Sequence, residues 1–320
     1  MNNETLIEVS QLSCYYGDHC AVNEISFSVN RGEVLGFLGP NGAGKSSTMQ
    51  IICGVLAATA GSVVVASHDI VEAAEKAKQH IGFLPENPPL YKDLTVDEYL
   101  LYCARLRKIQ KNQLKQAMDN CKSRCGIHDY GKRLIANLSK GYQQRVGIAQ
   151  AIIHSPAVVI LDEPSSGLDP IQNLEIRELI SELGSDHSVI VSTHILPEVQ
   201  SSCNRVLIIN RGKIVLDEKI NQLEESGTQS SWTIALARPP LLEELEQISG
   251  VSLVRNIDGR RFRVVCENSV AAPALFTETS VNKNWGLYEL IPERESLEHT
   301  FLQLTHGEVV EQGASSAEKT

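Results

Sequence analysis

The run Gly39-Pro40-Asn41-Gly42-Ala43-Gly44-Lys45-Ser46 constrains this chain more than any other stretch. It matches the pattern G-x-x-x-x-G-K-S/T in full. The apolar segment Val34-Leu35-Gly36-Phe37-Leu38 precedes it and reads as a short buried strand, and a helical pattern runs from Ser46 to about Val55. Strand, glycine-rich loop and helix in that order form the context that gives the match its meaning. The glycines let backbone N–H groups turn inward around phosphates, and the helix N-terminus adds partial positive charge. Lys45 is expected to reach the β- and γ-phosphates of a nucleotide, and Ser46 to place its hydroxyl on Mg²⁺. The loop residues Gly39, Pro40, Asn41, Gly42, Ala43 and Gly44, with Ser47 just beyond, are the other candidates for holding the nucleotide. By itself this loop says only that a nucleotide binds.

A second run narrows the chemistry. Val158-Val159-Ile160-Leu161 is continuously apolar, as a strand covered on both faces should be, and ends in Asp162-Glu163-Pro164. The C-terminal end of such a strand is where ligands bind in an open α/β sheet. Asp162 is placed to hold Mg²⁺, and Glu163 to polarise an attacking water as general base.

The surrounding pattern alternates strands and helices. Residues 5–30 read as two strands joined by a loop holding Tyr15, Tyr16 and Gly17. Gly61–Val65 reads as a strand, Ala73–His80 as a helix and Ile81–Leu84 as a buried strand. Residues 95–150 lack strand character and open on Thr95-Val96-Asp97-Glu98, a capping-box pattern, so they read as an inserted helical subdomain. Strand character resumes at Ala157–Leu161. A helix near Leu174–Leu183, the strand Ser188–Val191 and two short strands, Val206–Ile209 and Lys213–Leu216, complete the unit. After about residue 226 the expected order is strand Trp232–Leu236, helix Leu241–Ile248, a hairpin Val251–Arg255 and Arg261–Val265, helix Val270–Thr279 and strand Gly286–Ile291. That β-α-β-β-α-β order is the ferredoxin-like arrangement. A further helix is expected over Ser296–Leu304, and a disordered tail over 306–320.

Composition bounds the rest. The chain has 320 residues, is 42% hydrophobic and carries a formal net charge of −10, which argues against a nucleic-acid binder. The eight cysteines are scattered, and Cys121 and Cys125 lack a second ligand pair at zinc-site spacing, so reduced thiols are expected. No run approaches the roughly 18 apolar residues of a spanning helix. The N-terminal residues carry no signal-peptide pattern. A cytoplasmic protein is therefore expected, with any work at a membrane done through a partner.

Together these residues resemble the ABC ATPase family over about residues 5–220. Leu138-Ser139-Lys140-Gly141-Tyr142-Gln143-Gln144-Arg145 looks like its signature sequence, Ser166-Gly167-Leu168-Asp169 like its D-loop, and Ser192-Thr193-His194 like its switch histidine. Tyr16 sits where the family stacks an aromatic on adenine. The resemblance implies an α/β fold: a P-loop NTPase of ABC ATPase type with an antiparallel β subdomain and an inserted helical subdomain (about 88–150). Domain boundaries are expected at 1–225 and 226–305. It also implies ATP and Mg²⁺ as ligands, and two subunits sandwiching two nucleotides. Each site would use Lys45, Ser46, Asp162, Glu163 and His194 of one chain with Ser139 and Gly141 of the other, and Asp169 of the D-loop is a further candidate for holding the nucleotide. The implied activity is ATP hydrolysis driving transport through a separate membrane-spanning permease, with the subunit attached to the cytoplasmic face as a homodimer or beside a related subunit.

Two departures stand out. The family usually has Gly-Gly-Gln where this chain has Lys140-Gly141-Tyr142, although the glycine that approaches phosphate is kept. The family also usually has Gln where Leu84-Pro85-Glu86-Asn87 places Glu86. A carboxylate there either ligates the metal through water or repels the γ-phosphate and slows turnover. Both departures, with Pro88-Pro89-Leu90-Tyr91 and Glu298-His299-Thr300-Phe301, resemble the branch of exporter ATPases related to gliding-motility and multidrug-type export. The competing reading is a soluble ABC ATPase acting on ribosomes or nucleic acid. The single phosphate loop and the lack of coiled-coil or zinc insertions argue against it.

Overall fold

The computed structural model describes residues 4–222, 230–266, 271–293 and 301. The chain divides into two compact units, 1–219 and 220–320. Among the described residues no helix is long and apolar enough to cross a membrane, and all eight cysteines are free.

In the first unit, β1 (Thr5–Tyr16) and β2 (His19–Asn30) pair antiparallel, and β4 (Ala60–Val65) and β5 (His68–Asp69) extend that sheet in the order β2-β1-β4-β5. Tyr15 and Tyr16 thus end a strand rather than lie in a loop, and the turn falls on Gly17-Asp18. The second sheet holds six strands: β3 (Val34–Leu38), β6 (Ile81–Leu84), β7 (Val158–Asp162), β8 (Ser188–Thr193), β9 (Arg205–Asn210) and β10 (Lys213–Lys219). Its order is β10-β9-β3-β8-β7-β6, parallel throughout except for the edge strand β10. Every residue of β3, β7 and β8 is buried. Alternate residues of β7 feed two different cores. Val158 and Ile160 pack with β1 and β2 and with α1 (Lys45–Ile52). Val159 and Leu161 face the helical side. This two-sided burial is why the strand reads as one apolar run.

The helical side comprises α3 (Val96–Leu106), α4 (Leu114–Arg124) and α5 (Lys140–Ile152), with α6 (Pro170–Leu183) packed beside them; α2 (Ala74–Gln79) and α7 (Leu196–Ser202) are short connectors. The capping box at α3 is formed: the Thr95 side chain accepts from the Glu98 N–H, and the Glu98 carboxylate accepts from the Thr95 N–H at 2.8 Å. The helix expected from Leu174 begins four residues earlier. Asp169 caps it by accepting from the Ile171 and Gln172 N–H groups at 3.0 and 2.9 Å, and Pro170 fills the first helical position.

In the second unit, β11 (Ser230–Leu236), α8 (Leu242–Glu246), β12 (Val251–Asn256), β13 (Arg261–Cys266), α9 (Ala272–Asn282) and β14 (Leu287–Glu293) follow one another. The sheet order β12-β13-β11-β14, antiparallel at every step, is that of the ferredoxin-like arrangement. Its core gathers Trp232, Ile234, Leu236, Phe262, Val264 and Phe276. The helix expected over 296–304 and the tail beyond 306 lie outside the described residues, apart from Phe301.

Candidate active site

Three neighbouring strands of the parallel sheet, β3, β8 and β7, end on one side of the unit. The loop after β3 is the glycine-rich run. Gly42 and Gly44 have φ of 78° and 108°, where an L side chain is strained, and a Cβ on Gly44 would also press on the Ala21 carbonyl. Gly44 occupies the N-cap of α1 without any side-chain cap, so the first-turn N–H groups are left for a ligand.

Lys45 is almost fully buried at the head of α1. Its ammonium donates to the carbonyls of Gly39 at 2.8 Å and Pro40 at 3.2 Å. It also lies 3.3 Å from Oε1 of Glu163. Ser46 donates from Oγ to Asp162 Oδ1 at 3.2 Å. Asp162 is buried at the end of β7, and the Ser192 hydroxyl of the adjacent strand donates to the same oxygen.

Glu163 follows directly, with φ of 48°. A left-handed non-glycine residue costs about 1–3 kcal/mol and persists only where its surroundings hold it. Here the Glu163 N–H donates to the Ser192 carbonyl at 3.0 Å and to its hydroxyl at 3.2 Å. The strained backbone turns Glu163 Oε2 onto Nδ1 of His194 at 2.9 Å, while Oε1 faces Lys45.

These groups open into a cleft of about 420 Å³ lined by Tyr16, Asn41, Gly42, Gly44, Lys45, Ser46, Ser47, Glu86, Glu163 and His194, with His19, Ala21 and Ser166. Asp162 stands behind it through Ser46. Gly39 and Pro40 meet Lys45 through their carbonyls, and Ala43 is buried within the loop. The Tyr16 hydroxyl is 3.2 Å from Ser47 Oγ, leaving its half-exposed ring at the rim. Three expected residues are not brought in. Ser139, exposed at the N-cap of α5, Gly141 in its first turn, and Asp169 at the N-cap of α6 do not line this cleft.

Sequence reasoning missed His19 and Ala21, and quoted Ser166 and, most consequentially, Ser192 within motifs without giving them a place in the site. A serine buried among valines and isoleucines on β8 was the available signal, since a buried hydroxyl needs a partner.

The arrangement suits a polyphosphate. The uncapped head of α1 and one buried ammonium meet an oxygen pair, Ser46 and Asp162. That pair fits a hard divalent cation, which takes one carboxylate plus substrate phosphates. A carboxylate bonded to an imidazole sits beyond, placed for work on a water.

Known proteins carry the same pattern. The family model for ABC transporters matches residues 22–166. The chain is 32% identical over 311 residues to the ABC transporter ATP-binding protein YhcH of Bacillus subtilis (strain 168), covering 97% of this chain and 98% of that one. It is 34% identical to the bacitracin transport ATP-binding protein BcrA of Bacillus licheniformis, over 69% of this chain and 72% of BcrA. Among solved structures, the cassette cbiO1 of Clostridium perfringens, part of the complex cbiONQ, matches with a TM-score of 0.63 and 28% identity over 69% of this chain and 90% of its own. The ATP-binding subunit of an ABC transporter matches with TM-score 0.63 and 27% identity over 69% of this chain and 93% of that one.

Proposed function

The chain belongs to the ABC transporter family as an ATP-binding, ATP-hydrolysing subunit, and from that premise we propose the residue roles, the partner and the direction of transport. The observation that carries the proposal is the contiguous set Lys45–Glu163–His194 beside Ser46–Asp162 in one cleft.

Bound ATP draws Lys45 from the loop carbonyls onto its β- and γ-phosphates, and the first-turn N–H groups of α1 take the remaining phosphate oxygens. The adenine stacks on Tyr16 at the rim, an interaction worth about 1–3 kcal/mol. Ser46 and Asp162 would hold Mg²⁺, with Glu86 in the same cleft either joining it through water or repelling the γ-phosphate; the ion would supply positive charge against the transferring phosphoryl group. Glu163 takes the proton of the attacking water, and His194 fixes the carboxylate and faces the γ-phosphate.

Ser139, Gly141 and Asp169 serve a second copy. Their place outside their own cleft, at helix N-termini, supports this, because the partial positive charge of a helix N-terminus meets an anion favourably. ATP then closes a dimer and hydrolysis reopens it, giving a two-state engine for a separate membrane-spanning permease. Export is the direction we propose, on the resemblance of Glu86 and Pro88-Pro89-Leu90-Tyr91 to the exporter branch. The test is gentle solubilisation of membranes from cells carrying the tagged chain at low copy. Stoichiometric recovery of a polytopic membrane protein is expected. A soluble pool bound to ribosomes or nucleic acid, without a membrane partner, would refute the transport reading.

A further inference from the structure

Glu198 is an acid where none is needed for packing. It lies on α7 and is 3% exposed. A carboxylate this deep is costly unless each oxygen is satisfied. Both oxygens are, and by residues that flank the two catalytic groups. The Ser165 hydroxyl donates to Oε1 at 2.6 Å, and Ser165 is the second residue after Glu163. The Thr193 hydroxyl donates to Oε2 at 2.7 Å, and Thr193 immediately precedes His194. Thr193 Oγ1 in turn accepts from the Ile195 N–H at 3.1 Å, so its proton is committed to Glu198. The Arg177 guanidinium of α6 stands 3.9 Å from Oε1 and offsets the buried charge.

One side chain therefore joins the segment leaving β7 to the segment leaving β8. Those two segments carry the 2.9 Å contact between Glu163 and His194. An ionised carboxylate accepts through both oxygens and donates through neither, which is the polarity this clamp needs. We propose that Glu198 is a positioning residue for ATP hydrolysis: it sets Glu163 and His194 against each other by holding Ser165 and Thr193. This rests on the hydrolytic reading of the cleft. Glu198 acts through its neighbours and does not line the nucleotide cleft.

The test uses the full-length chain, with steady-state phosphate release, affinity for a fluorescent ATP analogue and thermal melting measured on each variant. Glu198→Ala should lower kcat roughly 10- to 100-fold, the scale of a small misplacement of catalytic groups, with KM and analogue affinity changed less than about twofold. Glu198→Gln should recover most of kcat, because its amide oxygen can accept from Thr193 while Ser165 turns to accept from the amide N–H. Unchanged kcat in Glu198→Ala overturns the proposal. So does a loss in which kcat, affinity and folded fraction fall together, or a Gln variant as poor as Ala. Should Glu198→Ala not fold, Thr193→Val decides: it keeps shape and cuts one arm of the clamp, and an undiminished kcat there overturns the proposal. Glu163→Gln run alongside separates the two levels. If it turns over like the parent, the hydrolytic reading fails; if it is silent while Glu198→Ala is fully active, only the positioning role fails.

Discussion

Glu163→Gln is the most informative single change in the cleft. The substitution keeps the side chain's volume, leaves an amide oxygen to face His194, and makes no new demand on the backbone at φ 48°. It removes one negative charge and the carboxylate proposed to take a proton from water. Loss of a positioned general base costs roughly 10²- to 10⁴-fold in rate, which is about 3–5 kcal/mol of barrier. Binding should move the other way. In the parent, Lys45 lies 3.3 Å from the Glu163 carboxylate, a Coulomb attraction of about 5 kcal/mol at an effective dielectric near 20, before the desolvation of both groups is set against it. Neutralising Glu163 releases Lys45 for phosphate and removes a charge that repels the nucleotide, so ATP affinity should hold or tighten. The assay is phosphate release at saturating Mg-ATP, with single-turnover measurements to separate chemistry from product release. Turnover within about fivefold of the parent would remove Glu163 as the base. Affinity weakened more than about tenfold would refute the charge argument, because a neutral Gln should repel the phosphates less.

Lys45→Ala should weaken ATP binding by roughly 10- to 100-fold, the loss of charge-assisted hydrogen bonds worth about 1.5–3 kcal/mol; unchanged affinity for a fluorescent analogue would show that Lys45 stays on the loop carbonyls. Glu86→Gln should raise turnover at limiting Mg²⁺ if the acid repels the γ-phosphate and lower it if the acid ligates the metal, so a titration of rate against Mg²⁺ chooses between them, and no change would exclude both. His154 offers a stability test. Burial pushes it down to about 4 from its ordinary 6.5, with Arg107 adding to the shift. The folded state therefore keeps it neutral while the unfolded chain protonates it, so its contribution is complete above pH 6.5 and is lost as pH falls towards 4, about 3 kcal/mol in all. Urea unfolding at pH 7.5 and 5 should show a smaller pH difference in His154→Gln than in the parent, and an equal difference would remove His154 as a source.

What was legible in the sequence was what is local. The glycine loop, the apolar β3 and β7 and the capping box at Thr95 each depend on residues within a few positions of one another, and each forms as read. The ferredoxin-like order of the second unit followed from strand and helix order alone, since the sheet order β12-β13-β11-β14 adds only pairing. The start of α6 was misplaced although its signal was present: Asp169-Pro170 is a cap followed by the proline favoured at the first helical turn. For Ser192 a buried hydroxyl signals a partner without naming it, and Ser165 and Glu198 were illegible, both for a different reason. Their roles depend on β8 lying next to β7, with about 25 residues and a helix between them in the chain. Nothing local announces which hydroxyl will face which carboxylate across two strands.

That distinction bears on how the cleft works. Its lining sets one ammonium, Lys45, against the carboxylates of Glu163 and Glu86, with Asp162 just behind. The nucleotide adds further negative charge to a site already short of positive charge. The loop N–H groups and the α1 dipole make up part of the deficit, within about one helical turn. On the proposed roles the rest would come from outside the chain: from Mg²⁺ at Ser46 and Asp162, and from a second helix N-terminus of the kind Ser139 caps. A cleft so balanced would bind its nucleotide fully only when metal and partner arrive together. That would tie ATP binding to dimer closure, and loss of the γ-phosphate to its release. Glu86 adds a second carboxylate to that lining, and on the same argument would make the closed state lean harder on the metal and the partner.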